Sequence, residues 1–172
     1  HLKIGKLKTP DRLFRQQLWR ASDLPLENKK SYKAKYPHDP YKNEHRPGNW
    51  PVRKVLYDQQ VKGNEKLRLG EQQLNSLNPG YYKATLTLLT TPYDTVRTRR
   101  IFKVYQQDSE EPAIPEFSYL VPVKTQAEPG ETAKFIWGSA ADSAHATLHI
   151  ERQGEIIDSR QITLSKGQKV IT

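Results

Sequence analysis

The clearest pattern in the sequence is a run of alternating apolar and polar residues that begins after the dipeptide Pro79-Gly80. A repeat of two that is rich in Tyr, Thr and Leu predicts a half-buried β-strand, because successive side chains of a strand point to opposite faces. A second alternating run at residues 96–105 follows a short polar segment, so the two runs predict a β-hairpin. Two sets of side chains are expected on opposite faces of the first strand: Tyr82, Ala84, Leu86 and Leu88 on one, and Tyr81, Lys83, Thr85 and Thr87 on the other.

Similar alternation elsewhere predicts that the whole chain is all-β. The turn at residues 128–131 has Pro at its second and Gly at its third position, which is typical of a tight β-turn. Gln153-Gly154 separates two alternating runs and predicts another hairpin. The further strands are expected at residues 1–8, 53–61, 66–69, 117–123, 133–137, 144–153 and 155–164.

Residues 11–51 do not follow the strand pattern. Residues 11–20 fit a strand and a helix equally well, and residues 25–35 predict a short amphipathic helix that Pro37 and Pro40 would end. Residues 36–51 contain four prolines, so we expect a long irregular loop.

The charge distribution suggests two domains. Residues 1–107 hold 22 Lys and Arg against 9 Asp and Glu, whereas residues 108–172 hold 6 against 10, so the net charge changes sign at that point. Residues 108–115 are acidic and contain two prolines, which favours a linker. We therefore expect one domain at 1–107 and a second at 116–172, which has too few strands for a complete sandwich of about seven and is expected to be truncated.

The absence of cysteine and methionine limits the chemistry. Without cysteine the chain has no disulfide, no thiol nucleophile and no Cys-based zinc site. Because the sequence does not begin with methionine, we interpret it as a piece of a longer polypeptide. It contains no apolar run near the roughly 20 residues of a membrane-spanning helix, so no direct membrane insertion is expected.

Three segments together carry a family resemblance. The entry to the hairpin at 78–82, the Pro-Gly turn and strand start at 128–135, and the loop at 36–44 that follows Leu18-Trp19 resemble macroglobulin-like domains. Such domains belong to bacterial alpha-2-macroglobulin-family proteins, particularly the large ones of Bacteroidetes. The resemblance covers most of the chain.

The resemblance implies an architecture and a role. It implies two consecutive Ig-like, macroglobulin-type β-sandwich domains in an exported protein of the periplasm or cell surface, with the signal or anchor outside this sequence. The family cages attacking proteases, so the expected role is a non-catalytic scaffold for protease trapping. Its partners would be neighbouring domains of the same parent chain and, through the full-length protein, proteases. The reactive thioester of many members needs a Cys and cannot be carried over.

A basic segment invites a nucleic-acid or polyanion interpretation. Arg97, Arg99 and Arg100 lie between Tyr93 and Tyr105, which combines charge with stacking surface. On a strand, however, Arg97 and Arg99 share one face while Arg100 lies on the other. We therefore favour a solvated basic face and expect no nucleic-acid partner.

Several histidines, carboxylates and one serine are candidate metal ligands or catalytic residues. His38, Asp39, Glu44 and His45 could ligate a divalent metal from one loop, but rigid packing of the prolines against Trp50 is the favoured alternative. His145 and His149 lie four residues apart, which on a strand is about 13 Å, too far to share an ion. No Gly-x-Ser-x-Gly elbow is present, and Gly138-Ser139 lacks a matching His and acid. We predict no metal, cofactor or catalytic residue, and no enzyme.

Two groups of side chains remain open to more than one interpretation. The acidic residues Asp108, Glu110 and Glu111 could resemble paired catalytic carboxylates, but an exposed linker offers no dry pocket to shift their pKa. The aromatic residues could form a glycan- or protein-binding surface, as in a surface binding module, or serve as the small core of the proline-rich loop, which we favour. These aromatic residues are Trp19, Tyr32, Tyr36, Tyr41, Trp50 and Tyr57.

Overall fold

The protein is described by a computed structural model that covers residues 1–18, 27–62, 70, 75–91, 94–124, 126 and 128–172. The described residues form nine strands in antiparallel sheets and one short α-helix, so the predicted all-β class is confirmed. The chain divides into two compact units, His1–Gln106 and Gln107–Thr172. The predicted strand at 66–69 and the side chain of Trp19 lie outside the described residues.

The described residues of the first unit form one four-stranded sheet. Its strands are β1 (Leu2–Leu7), β2 (Val52–Gln59), β3 (Gly80–Thr91) and β4 (Asp94–Val104), in the order β2-β1-β3-β4. The hairpin predicted from the alternation is present as β3 and β4, in register from Gly80 opposite Val104 to Leu89 opposite Thr95.

Helix α1 (Lys29–Lys35) lies within the predicted helical segment. Asn28 caps its first turn, since the Asn28 side-chain oxygen accepts a hydrogen bond from the Ser31 N–H at 2.9 Å. The helix ends before Pro37, as expected for a residue that disfavours helical backbone before it. A short 3₁₀ turn, Pro47–Asn49, then leads the loop to Trp50 and into β2.

The core of the first unit sits at the beginning of β3. Tyr82 is stacked on Phe102 of β4 with ring centroids 5.4 Å apart, while Tyr81 on the other face packs against Trp50. Both faces of the strand are therefore covered here, which differs from the half-buried strand that the alternation predicted. Further along, Leu86 is 42 % and Leu88 57 % exposed, so the burial ends half-way along the hairpin.

The second unit contains a three-stranded sheet and a separate hairpin. Strands β5 (Tyr119–Pro122), β6 (Phe135–Ser139) and β9 (Gly167–Ile171) pair in the order β5-β6-β9. The predicted hairpin across Gln153-Gly154 joins β7 (Ala144–Arg152) to β8 (Glu155–Leu164). Strand β9 was not predicted, because its apolar residues are too few to show an alternation.

The predicted turn at 128–131 is also present. Gly130 has a φ of +91°, and the Glu131 N–H donates to the Glu128 carbonyl at 3.0 Å. A positive φ at the third position of a turn that has Pro at the second is the arrangement that favours Gly there.

Residues 108–115, predicted as a linker, lie within the second unit. Ala113 and Ile114 are buried, and the Ala113 N–H donates to the Tyr119 hydroxyl oxygen at 2.8 Å. Gln168 holds the same segment, because its side-chain amide donates to the Ser109 carbonyl and its backbone N–H to the Glu110 carbonyl, both at 2.8 Å. Two adjacent apolar residues show no periodicity, so the sequence pattern did not reveal this packing.

Candidate functional site

Among the described residues of the first unit, the most closely connected group of ionisable side chains is an arginine–carboxylate cluster, which we define as Arg12, Arg15, Asp39 and Glu44. The two arginines lie in the irregular segment after β1, and the two carboxylates lie in the proline-rich loop. The Arg15 N–H donates to the His38 carbonyl at 3.0 Å, so the two segments also run side by side through their backbones.

Each arginine of the cluster binds the loop through several atoms. Arg12 donates to the carbonyl oxygens of Pro37 at 2.7 Å and Asp39 at 2.9 Å, and it forms an ion pair with Glu44. Arg15 forms a two-pronged pair with the Asp39 carboxylate, whose second contact, from Nη2 to Oδ2, is 2.9 Å long. Such bidentate, charge-assisted contacts fix the orientation of both partners.

The environment of Glu44 favours its ionised form. Burial of the carboxylate opposes ionisation, but this effect is outweighed by the hydrogen bond from the Tyr41 N–H, at 3.0 Å, and by the bond and charge of Arg12, and the pKa falls from 4.5 to about 2. The Lys29 and Lys33 ammonium groups, 3.4 and 3.5 Å from Glu44 Oε2, add to the positive surroundings. Glu44 is therefore an anion that its neighbours hold in place.

The histidines of the loop do not join the carboxylates around a common point. His38 faces the Leu13 carbonyl, with its Nδ1 3.3 Å away, and His45 lies edge-on to Phe14 with ring centroids 6.4 Å apart. Burial, and to a lesser degree the charge of Arg46, lowers the pKa of His45. Among the residues that the structure describes, no group of three His, Asp or Glu side chains could hold a metal ion.

A small cavity lies beside the cluster. Its volume is about 10 Å³, which is the space of a single water molecule. A space of this size does not admit a substrate or a cofactor. Its lining residues are Arg15, Gln16, Gln17, Tyr32, Asp39 and Pro40.

The aromatic residues of this region contact one another. Tyr32 packs against Tyr36 and Tyr41 with ring centroids 5.2 and 5.5 Å apart, and the Tyr41 hydroxyl donates to the Glu27 carbonyl. Trp50 is only 8 % exposed. These contacts support the interpretation that Tyr32, Tyr41 and Trp50 form a small core of the loop. Tyr36 is 45 % exposed, and Tyr57 lies on β2, outside the loop.

The basic segment lies on β4, and its arginines are distributed over the two faces as the strand alternation predicted. Arg97 and Arg99 stand opposite Thr87 and Thr85, and Arg100 stands on the other face opposite Ala84. All three arginines are exposed, and none of them forms an ion pair with a carboxylate of the described residues.

The candidates of the second unit are separate from one another. Ser139 is fully buried, and its hydroxyl donates to the Phe117 carbonyl at 2.7 Å and accepts from the Ala141 N–H, which is a structural role. His145 and His149 are both exposed on β7, where His145 contacts the Thr163 hydroxyl. The side chains of Asp108, Glu110 and Glu111 are exposed as well.

Sequence reasoning named both carboxylates of the cluster but missed both arginines. Arg12 and Arg15 lie more than 20 residues before their partners, and their spacing of three fits no strand or motif. The sequence offered one signal for this cluster: acidic residues occur in a proline-rich loop of an otherwise basic segment. A buried carboxylate needs a nearby cation, so these residues indicate that a Lys or Arg lies close to them in the fold.

Comparison with known proteins does not assign the chain to a family: no protein-family model, no curated protein and no solved structure matches it. The macroglobulin resemblance therefore stays a prediction. In the described part of the chain, no helix has the length and apolar character that crossing a bilayer requires.

Proposed function

We propose that this chain is a non-catalytic scaffold portion of an exported, alpha-2-macroglobulin-like protein of the cell envelope, in which it supports the trapping of proteases. In this role the domains keep a fixed structure and pack against neighbouring domains of the same parent chain. Other parts of that protein would bind and enclose the protease.

The observation that carries the proposal is the arginine–carboxylate cluster. Its charged groups bind one another and the carbonyl oxygens of the loop, so they fasten the loop to the segment after β1. A carboxylate that acts as a general acid or base needs a pKa near the working pH, whereas the pKa of Glu44 is held at about 2. The arrangement suits a rigid surface better than an acid or base catalyst.

The exposed end of the β3–β4 hairpin supports the same role. Leu88 is 57 %, Leu89 75 % and Val96 54 % exposed, and Leu88 stands directly opposite Val96. Leu88 and Val96 share one face of the hairpin and Leu89 lies on the other, and contiguous exposed apolar surface is typical of a site that contacts another protein. In the proposed scaffold, that surface is a neighbouring domain of the parent chain.

Protease trapping can be tested in the native protein that contains this sequence. After incubation with a protease, antibodies against residues 1–172 should co-precipitate the protease, which should still cleave a small peptide substrate but not a large protein, because a cage excludes large substrates. Residues 1–172 should remain uncut. Free protease activity on both substrates, or cleavage within 1–172 as the first event, would contradict the proposal.

A surface binding module for a glycan or polyanion is the second candidate. It is favoured by the side chains of Arg97 and Arg99, which share one face of the sheet with Thr85 and Thr87. A heparin column at physiological salt and a glycan array separate the two candidates. The scaffold should show no saturable ligand in either assay.

A further inference from the structure

Strand β4 forms one edge of the sheet in the first unit. It is eleven residues long and pairs with β3 on one side only. An unpaired edge presents a row of backbone N–H and C=O groups that another extended chain can bind. In the described part of the structure, no strand occupies the outer side of β4.

The register identifies which backbone groups of β4 point outward. Thr87 of β3 exchanges two hydrogen bonds of 2.8 Å with His1, so the backbone of Thr87 faces away from β4. Because hydrogen-bonded and non-hydrogen-bonded pairs alternate along an antiparallel ladder, the residue opposite, Arg97, directs its N–H and C=O to the outside. The same alternation places the backbone groups of Arg99 and Ile101 on the outer edge.

The side chains along this edge carry unneutralised positive charge on both faces of the sheet. The cross-strand neighbours of Arg97, Arg99 and Arg100 are Thr87, Thr85 and Ala84, none of which bears a charge. No carboxylate within the described residues pairs with these arginines. The edge therefore combines free backbone groups with three cations in four residues.

We propose that β4 binds an acidic, extended segment of a partner protein as an added fifth strand. In antiparallel pairing, two acidic residues at alternate positions of the segment face Arg97 and Arg99 on one side of the sheet. A third acidic residue, next in sequence to one of these two, faces Arg100 on the other side. The inference does not rest on the scaffold role, since it uses only the edge and its charges.

The distribution of the arginines favours a peptide strand over a polyanion. A polysaccharide or nucleic acid lying on the sheet would contact one face and so would meet Arg97 and Arg99 or Arg100, but not all three. An added strand directs alternate side chains to both faces, so it contacts all three arginines while its backbone bonds the outer edge.

The same charges oppose pairing between two copies of this chain through their β4 strands. Two such edges would bring like charges together, which is a common way for proteins to protect an edge strand. An acidic segment reverses the sign of this interaction. The edge therefore selects its occupant by charge.

The test uses a fluorescent nine-residue peptide, EVVEETEVT, designed to lie antiparallel to residues 95–103. Its binding is measured by fluorescence anisotropy at two salt concentrations. We expect saturable binding that weakens with salt, together with slower hydrogen exchange of the amides of Arg97, Arg99 and Ile101. The variant Arg97→Glu/Arg99→Glu should raise the Kd about tenfold or more, which is about 1.4 kcal/mol.

Two controls separate strand addition from general charge attraction. Arg53→Glu/Lys54→Glu makes the same change in net charge on the opposite edge strand β2, and it should alter the Kd by less than about twofold. A peptide N-methylated at its third, fifth and seventh residues keeps its charge but loses the N–H groups that face β4, and it should not bind.

Several results would overturn the proposal. Equal binding of the N-methylated peptide, or of a heparin oligosaccharide at the same charge, would show a polyanion surface in place of an added strand. Absence of binding at millimolar peptide, with hydrogen exchange of the β4 amides unchanged, would show that the edge has no such partner.

Discussion

The indole N–H of Trp50 donates to the main-chain carbonyl of Glu44 at 2.7 Å, so the side chain at the end of the proline-rich loop binds the backbone in its middle. The same indole ring packs edge-on against Tyr81 with centroids 4.9 Å apart. One side chain therefore ties the loop both to itself and to the sheet. The contact with Trp50 explains why Tyr81 is buried, although the alternation places it on the polar face of β3 with Lys83 and Thr85.

Replacement of Trp50 by alanine should destabilise the first unit by about 3–5 kcal/mol, because a large buried ring is lost. Trp50→Phe keeps much of the ring contact but loses the N–H, so a cost of about 1–2 kcal/mol is expected. Urea unfolding of the three proteins gives the free energies. A Trp50→Ala protein within 1 kcal/mol of the parent would show that the loop is not anchored in this way.

Glu44 should make the protein sensitive to acid. Its pKa is about 2 in the folded protein, below the ordinary value of 4.5, so its contribution to stability is fully present above about pH 4.5. As the pH falls from 4.5 toward 2, protons bind the unfolded chain in preference, and the free energy of unfolding should decrease. Unfolding in urea at a series of pH values measures this slope.

The variant Glu44→Gln should be less stable at neutral pH and should show a shallower slope between pH 4.5 and 2. Glu155→Gln, at an exposed position of the β7–β8 hairpin, serves as the matched control and should leave the slope unchanged. If both variants gave the slope of the parent protein, Glu44 would not be the source of the acid sensitivity.

Gly138 should not tolerate a side chain. It stands directly opposite Tyr119 on the neighbouring strand, and a Cβ atom at Gly138 would fall on the Tyr119 ring. Gly138→Ala should therefore cost about 3 kcal/mol or more. Gly48→Ala is the control, because a Cβ there meets no atom within 4 Å. Thermal unfolding of the two variants should differ clearly, and equal melting temperatures would contradict this packing.

The Tyr119 hydroxyl should stabilise the segment at 108–115. It accepts from the Ala113 N–H at 2.8 Å and donates to the Gln168 side-chain oxygen at 2.9 Å. Tyr119→Phe leaves two buried polar groups without this partner, at an expected cost of about 2 kcal/mol. Hydrogen exchange of the Ala113 amide should become faster. An unchanged exchange rate would mean that other contacts hold the segment.

The sequence predicted those features that depend on neighbours along the chain. The β3–β4 hairpin follows from alternation, because its two strands are adjacent in sequence and pair with each other. The turn around Gly130 follows equally from local backbone preference. In both cases the information lies within about 25 residues, so a single sequence suffices.

Features that depend on distant contacts were not predictable from the pattern. The burial of Tyr81 depends on Trp50. The lowered pKa of Glu44 depends on the hydrogen bond from the Tyr41 N–H and on Arg12, whose position opposite the loop exists only in the folded protein. Similarly, β9 is stabilised as a strand by pairing with β6. Its own few apolar residues carry no periodic signal.

The uneven burial of β3 gives the first unit a mechanical asymmetry. At the base of the hairpin, Tyr81 and Tyr82 are buried on opposite faces of the sheet, whereas the outer half of the hairpin is exposed around Leu88. Substitutions in the outer half of the hairpin, in evolution or by design, can therefore change what the hairpin binds, while the buried base keeps the fold unchanged.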